Sequence, residues 1–295
     1  MKTRETPALI TRRSAAKLIT GAAAFGAFAA PAIIATPALA EDTLERLRKA
    51  KKVKVALPQQ PPYSGLQPDG SVIGIAPTIV KLIMGRLGVP EIEGVVAPYG
   101  QLIPGVNPGR WDIIAACLTI TKERCPSVAY ADPIVSEGGI FIYRPADLPD
   151  PPKNGAEIAS RGLKVVTSQG SYNVQRAVNA GVQQANIIQV PDTPAIFNTV
   201  ATKRGDIGYS TLYGANNILK QYPDFKSVYP VSDDPPRGSS CAFRLSDKEL
   251  HGAFQKELRA MKASGEFQKI AEQAGFPPVG QSVNVTAEEE CARAS

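Results

Sequence analysis

Gly109-Arg110-Trp111-Asp112-Ile113-Ile114-Ala115-Ala116-Cys117-Leu118-Thr119-Ile120-Thr121-Lys122-Glu123-Arg124 decides more about this chain than any other stretch. Ile113 to Ala116 is apolar and reads as a buried strand. A small polar turn follows, carrying Thr119 and Thr121 and delivering one arginine at Arg124. A strand end is a rigid place to present a ligand-binding group. A guanidinium held there matches the two oxygens of a carboxylate with its planar fork. The segment therefore reads as the anion-gripping edge of a small-molecule cleft. It also fits a strand followed by a helix whose arginine pairs with a surface acid, and the rest of the chain has to decide.

Outward from that stretch, strands alternate with helices. Val53 to Leu57, Gly94 to Ala97 and Ile140 to Tyr143 read as strands around it, and Ile75 to Leu87 has helical spacing. Ala146 to Asn154 is a Pro/Asp-rich boundary. A second series has strands at Leu163 to Thr167, Ile187 to Val190, Ile207 to Ser210 and Ser227 to Val231. Its helices are Tyr172 to Ala180, Pro194 to Thr202 (capped by Asp192 or Thr193) and Leu212 to Gln221. Ser232 to Gly238 is a second boundary, and Cys241 to Arg244 returns to strand. Ser246-x-x-Glu249 has the pattern of a capping box, and Leu250, Phe254, Leu258 and Met261 then form one apolar stripe. Ala263-Ser264-Gly265 breaks that stripe, and a second helix follows through Phe267, Ile270 and Ala271. The pattern predicts an α/β protein of two lobes. The chain crosses between them twice, near Ser136 to Phe141 and near Val231 to Ser240.

The N-terminus reads as a leader. Arg12-Arg13 precedes an Ala-rich apolar run from Leu18 to Ile34, and Ala38-Leu39-Ala40 is a small-x-small cleavage box. The paired arginines point to twin-arginine export, although Ala15 stands where an aromatic or leucine is usual. Residues 1–40 are thus expected to be a signal peptide, cleaved after Ala40 on the way to the periplasm. They hold five basic side chains and one acid, so the chain's +6 falls to about +2 once they are gone. That weak balance, with no unbroken basic run, gives no support to nucleic-acid binding. His251 is the single histidine, read as a surface residue, and no CxxC occurs. No cofactor, metal site or histidine-based catalytic group is expected. Cys117 reads as a small buried residue at the strand end. Which of the four cysteines pair is left open.

Four stretches together resemble one family: Val55 to Tyr63 with Gln60-Pro61-Pro62-Tyr63, Tyr99 to Gly105, Asp112 to Arg124, and Arg204-Gly205-Asp206-Ile207. From Thr43 to Phe276 the chain is similar to the extracytoplasmic solute-binding proteins of ABC importers, family 3, the polar amino-acid class. The wording at Tyr99 to Gly105 and Thr119 to Cys125 is most similar to ectoine and hydroxyectoine binders. The resemblance implies the type II periplasmic-binding-protein fold. Residues 41–138 plus 238–295 would form one lobe and residues 139–237 the other. It implies a small zwitterionic ligand, an ABC permease in the inner membrane as partner, a monomer, and no enzymatic activity. The alternatives are an exported enzyme of the cyclohexadienyl dehydratase kind and a ligand-sensing input protein.

The implied site is Gln60, Tyr63, Tyr99, Cys117, Thr119, Arg124, Gly170, Ser171, Tyr172 and Thr211. Arg124 would hold a ligand carboxylate, with the Thr119 hydroxyl beside it. Backbone N–H groups of Gly170-Ser171-Tyr172, at a helix start, would hold the same carboxylate from the other lobe. Tyr63 and Tyr99 would offer ring faces, or else pack in the core. Thr211 stands where amino-acid binders carry the Asp that takes the ligand ammonium. Ectoine binders would lead one to expect an acid at Gln60 and an aromatic at Thr119. An enzyme would need an acid at Gln60, Thr119 or Thr211, and all three are neutral.

Overall fold

The computed structural model describes residues 42–277 and 285–293. The expected leader, residues 1–40, lies outside the described residues. The chain opens with α1 (Thr43–Ala50), β1 (Lys52–Leu57), a small hairpin of β2 (Gly65–Leu66) and β3 (Val72–Ile73), and α2 (Ile75–Arg86). Then come β4 (Glu91–Val96), α3 (Tyr99–Val106), β5 (Ile113–Thr119), β6 (Ala129–Tyr130) and β7 (Val135–Glu137). The second series is β8 (Gly139–Tyr143), α4 (Gly155–Ser160), β9 (Val165–Ser168), α5 (Tyr172–Asn179), β10 (Ile187–Val190), α6 (Thr193–Ala201), β11 (Ile207–Thr211), α7 (Leu212–Leu219) and β12 (Lys226–Val228). The return is β13 (Arg237–Phe243), α8 (Lys248–Ala263), α9 (Glu266–Gln273) and α10 (Ala287–Ala292).

Two sheets result. One runs β4-β1-β5-β13-β6, with β7 also paired to β13, and the other runs β10-β9-β11-β8-β12. The chain leaves the first sheet after Glu137 and enters the second at Gly139. It returns after β12 to begin β13 at Arg237. Strands β1, β4 and β5 are parallel, as are β9, β10 and β11, because helices form the crossovers; β13 and β8 run antiparallel to their neighbours. Asp234 ties the two passages together. Its Oδ2 accepts from the Gly139 N–H and the Tyr209 hydroxyl, and its Oδ1 pairs with Arg176 at 2.6 Å.

Two local features aim side chains at the space between the sheets. Ser240 pairs with Leu118 but Ala242 pairs with Ile114, so three residues of β5 face one of β13. Such a bulge bends a strand and re-aims its side chains. Here it puts Cys117 at φ 45°, a left-handed conformation for a non-glycine residue. At Gly105 a Cβ would lie 1.9 Å from Cζ2 of Trp111. The bare glycine lets the indole lie on α3, and Trp111 Nε1 donates to the Leu102 carbonyl at 3.1 Å. That contact fixes α3 beside the start of β5, and Tyr99 in its first turn reaches the Ala116 carbonyl further along that strand.

Several local expectations change. β5 runs to Thr119, because Cys117 and Leu118 remain buried. β13 starts at Arg237, inside the stretch read as a boundary, since Arg237 and Gly238 pair with β7. No capping box forms at Ser246. The N-cap is Asp247, whose carboxylate is engaged by Arg244 at 2.8 Å and by the Thr43 hydroxyl. His251 is half-buried rather than a surface residue: its Nε2 lies 2.8 Å from the Tyr130 carbonyl and its ring packs on Phe243. Cys125 and Cys291 form a disulfide, while Cys117 and Cys241 are free and buried. No helix among the described residues is long and apolar enough to cross a membrane.

Candidate functional site

The strand ends of the two sheets meet at a narrow cleft. Gln60, Tyr63, Tyr99, Cys117, Thr119, Arg124, Ser171, Tyr172 and Thr211 line it, nine of the ten residues named from sequence. Gly170, the tenth, takes part through its backbone. Arg124 Nη1 donates to the Thr119 carbonyl and Nη2 to the Gly170 carbonyl, each at 3.1 Å. Arg124 thus spans from the end of β5 to the turn that opens α5. Gly170 offers a carbonyl there, and the Ser171 N–H is engaged by the Ser168 carbonyl at 3.1 Å. Gly170 has φ +69°, and a Cβ on it would lie 2.4 Å from the Gly100 nitrogen. The two sides of the cleft touch backbone to backbone at this point.

Further contacts cross the cleft on its other flank. Gln60 Nε2 donates to Thr211 Oγ1 at 3.1 Å. The Tyr63 hydroxyl donates to Glu137 Oε2 at 2.6 Å and accepts from the Gly214 N–H at 3.2 Å. The Tyr213 N–H also reaches Glu137 Oε2, at 3.1 Å. The first turn of α7 is thereby docked onto a carboxylate, as its exposed N–H groups and dipole favour. Tyr63 serves mainly as this linker: it is 2 % exposed, with its ring edge-on to Phe276. Tyr99 is half-buried, and its hydroxyl donates to the Ala116 carbonyl at 3.3 Å.

Sequence reading missed Glu137, Ser168, Asn173, Arg176, Ser210, Arg237 and Ser239, all of which line the cleft. Arg176 lies four residues beyond Tyr172, on the helix already assigned there, so helical spacing could have found it. Glu137 had no such signal. It sits where the chain changes sheets, and it places an acid in a cleft that is neutral at Gln60, Thr119 and Thr211. Burial pushes its carboxyl up to about 7, opposed by the Tyr63 hydroxyl, the Tyr213 N–H, the Arg176 charge and the Leu212 N–H. Burial also raises the Tyr99 hydroxyl, with Cys117 and Glu137 adding to the rise and Arg124 opposing it. The same Tyr99 hydroxyl therefore feels both the cation and the acid of the cleft. Burial raises the Cys117 thiol well above its ordinary range, which keeps it protonated and inert. No group of metal-ligating side chains occurs among the described residues.

Arg176 lies 4.5 Å and Arg237 5.7 Å from the centre of the Tyr172 ring. The Arg176 charge is balanced by Asp234. The cleft thus presents an arginine at the end of β5, a carboxylate at the end of β7, and hydroxyls and an amide between them.

Known proteins resemble the chain along most of its length. Residues 53–276 match the family described as bacterial extracellular solute-binding proteins, family 3. A probable amino-acid ABC transporter periplasmic-binding protein, y4tE of Sinorhizobium fredii, is 26% identical over 248 residues, 80% of this chain and 81% of that protein. The histidine-binding periplasmic protein of Salmonella typhimurium is 21% identical, over 75% of this chain and 86% of its own length. Among solved structures, EhuB in complex with hydroxyectoine superposes with a TM-score of 0.81 at 32% identity, covering 85% of this chain and 98% of that one. The fold is the two-lobe type II periplasmic-binding architecture expected from the sequence.

Proposed function

The chain belongs to the bacterial extracellular solute-binding proteins of family 3, and from that premise we propose that it is the receptor of an ABC importer. It captures a small amino-acid-like zwitterion, of the ectoine and hydroxyectoine class or a polar amino acid, and delivers it to an inner-membrane permease. The observation that carries this reading is Arg124, fixed at a strand end and opening into a cleft between two sheets. Such a guanidinium gives up its backbone contact at Gly170 for a carboxylate, which is the stronger partner. The hydroxyectoine complex of EhuB, similar over nearly the whole of its length, supports the compatible-solute class.

The lobe boundaries belong to this reading. Residues 41–138 with 238–295, and residues 139–237, are the two bodies that close on the ligand by hinge motion. The change of sheet between Glu137 and Gly139 supports the first boundary, and the start of β13 at Arg237 supports the second. Export with removal of residues 1–40, a periplasmic monomer and a binding rather than catalytic role complete it. Among the described residues that line the cleft, Glu137 is the one acid that an enzymatic reading could use, and its bonds to Tyr63 and Tyr213 support a role in holding the cleft together.

A thermal-shift screen of the purified protein tests the proposal. The panel holds ectoine, hydroxyectoine, proline, betaines and the common amino acids, with cyclohexadienyl acids as controls. A ligand that binds only the native state raises the melting temperature. Stabilisation by a zwitterion is the expected result. No stabilisation by any zwitterion of the panel, or turnover of a cyclohexadienyl acid in a parallel activity assay, refutes it.

A further inference from the structure

We propose that α10 is a C-terminal strap that positions Arg124 for its ligand through the Cys125–Cys291 disulfide, so that making or breaking this bond sets ligand affinity in the folded protein. The inference rests on the reading of Arg124 as the carboxylate clamp and deepens it.

Arg124 stands just beyond β5, in neither a strand nor a helix. β5 ends at Thr119, and residues 122–127 form a turn. Short-range backbone bonds close that turn. The Arg124 and Cys125 N–H groups donate to the Thr121 carbonyl at 3.0 Å, and the Ser127 N–H donates to the Arg124 carbonyl at 2.9 Å. A turn closed by local bonds opens more readily than a sheet. The covalent tether begins at the very next residue: Cys125 is bonded to Cys291, 166 residues further on.

The far end of the tether is anchored. α10 begins with a capping box between Thr286 and Glu289. The Ala287 N–H donates to Asp132 Oδ1 at 3.2 Å, and Arg259 of α8 pairs with Asp132 at 2.8 Å. Glu290 is 1 % exposed and pairs through Oε1 with Arg293, whose Nη2 donates to the Pro236 carbonyl at 3.2 Å. A Cβ on Gly238 would lie 3.0 Å from Glu290 Cγ, so α10 lies directly on the start of β13. α10 therefore ties the Arg124 turn to α8 and β13.

A staple that serves stability alone leaves the affinity of the folded protein unchanged when it is cut. A tether on a binding turn acts differently, since a turn already held in its bound conformation loses less freedom when ligand arrives. The planar fork of Arg124 must be oriented to meet both carboxylate oxygens, so freedom in its turn is felt directly in binding. The bridge is also addressable. Its two cysteines are half-buried, whereas the other two of the chain's four, Cys117 and Cys241, are free and buried. A dithiol reductant therefore has one bond to cut. It passes two electrons and two protons to Cys125 and Cys291, leaving two thiols, and closes to its own ring disulfide.

Calorimetric titration with hydroxyectoine tests this, or with the zwitterion that stabilises the protein most if hydroxyectoine does not bind. The forms compared are the oxidised protein, the same protein reduced with dithiothreitol, and the Cys125→Ser, Cys291→Ser double variant, each below its own unfolding temperature. Affinity is expected to fall about tenfold when the bridge is opened by either route, and to return when the reduced protein is reoxidised with glutathione disulfide. In Arg124→Lys, which keeps the charge without the fork, opening the bridge should lower affinity by less than about twofold, because effects that act through one residue do not add. Unchanged affinity in the folded, reduced protein, or an equal loss in Arg124→Lys, overturns the inference and leaves Arg124 as the carboxylate clamp. If neither opened form folds, Arg293→Ala decides. It keeps the bridge and frees the end of α10, so it should weaken binding at least about threefold, and wild-type affinity there overturns the inference. Binding of no zwitterion by the oxidised protein removes the Arg124 reading, and the inference with it.

Discussion

Gly170→Ala separates the closing of the cleft from the stability of its walls. Gly170 sits at φ +69°, where an alanine costs about 1–2 kcal/mol. Its new Cβ would stand 2.4 Å from the nitrogen and 2.5 Å from the Cα of Gly100 across the cleft. Non-bonded carbons sit at about 3.5 Å, so the two backbones must part by about 1 Å. That movement stretches the 3.1 Å bond from Arg124 to the Gly170 carbonyl and unseats the neighbouring contacts. In the bound state the same parting holds the far wall about 1 Å away from a carboxylate on Arg124, and losing one hydrogen bond between that wall and the carboxylate is worth about 1.5–3 kcal/mol, or roughly a 10- to 150-fold loss of ligand affinity. The backbone strain itself largely cancels between bound and free protein, because both carry it. It is read instead as lower thermal stability without ligand. Gly100→Ala is the control on the same contact: its Cβ would meet only Gly170 Cα, at an ordinary 3.8 Å, and alanine is the better helix former. Calorimetry, thermal unfolding and the radius of gyration with and without ligand read out both variants. Wild-type affinity and full compaction in Gly170→Ala, or an equal loss in Gly100→Ala, would refute the reasoning.

Three further outcomes follow from the same geometry. Arg124→Ala should weaken zwitterion binding by at least about 100-fold in calorimetry, since it removes the one carboxylate fork at the end of β5, while secondary structure by circular dichroism stays unchanged. Affinity for an N–H zwitterion should fall as pH drops through about 7, because Glu137, faced by Tyr63, Tyr99, Tyr213, Cys117 and Arg176, takes up a proton there and loses its charge. The same raised value makes the folded chain bind more protons than the unfolded chain between about 4.5 and 7, so this group's contribution to stability declines as pH rises across that window; Glu137→Gln should flatten both profiles, and unchanged profiles would count against the assignment. Replacing Cys125 and Cys291 with serine should cost about 2–5 kcal/mol in denaturant unfolding, because the bridge joins residues 166 apart and holds α10 beside the turn that follows Arg124.

The alternation of apolar strands with amphipathic helices, the two-lobe plan and the arginine at the end of β5 were legible in the sequence, because periodicity and strand-end placement are local properties. Gln60, Tyr99 and Thr211 could be named through a family resemblance carried by short motifs. Glu137 could not. It lies in a three-residue strand at a change of sheet, and nothing near it in sequence shows that its carboxyl lies beneath the start of α7, 75 residues further on at Leu212. The capping box at Ser246 failed in part for a related reason: the Thr43 hydroxyl, from a helix far away in sequence, joins the neighbouring Arg244 on the Asp247 carboxylate. Sequence alone thus determined the architecture and the arginine placed beyond the end of β5. Tertiary structure alone decided which groups face that arginine across the cleft. Charge and burial in a cleft are set by the meeting of two lobes, and no local stretch of the chain encodes that meeting.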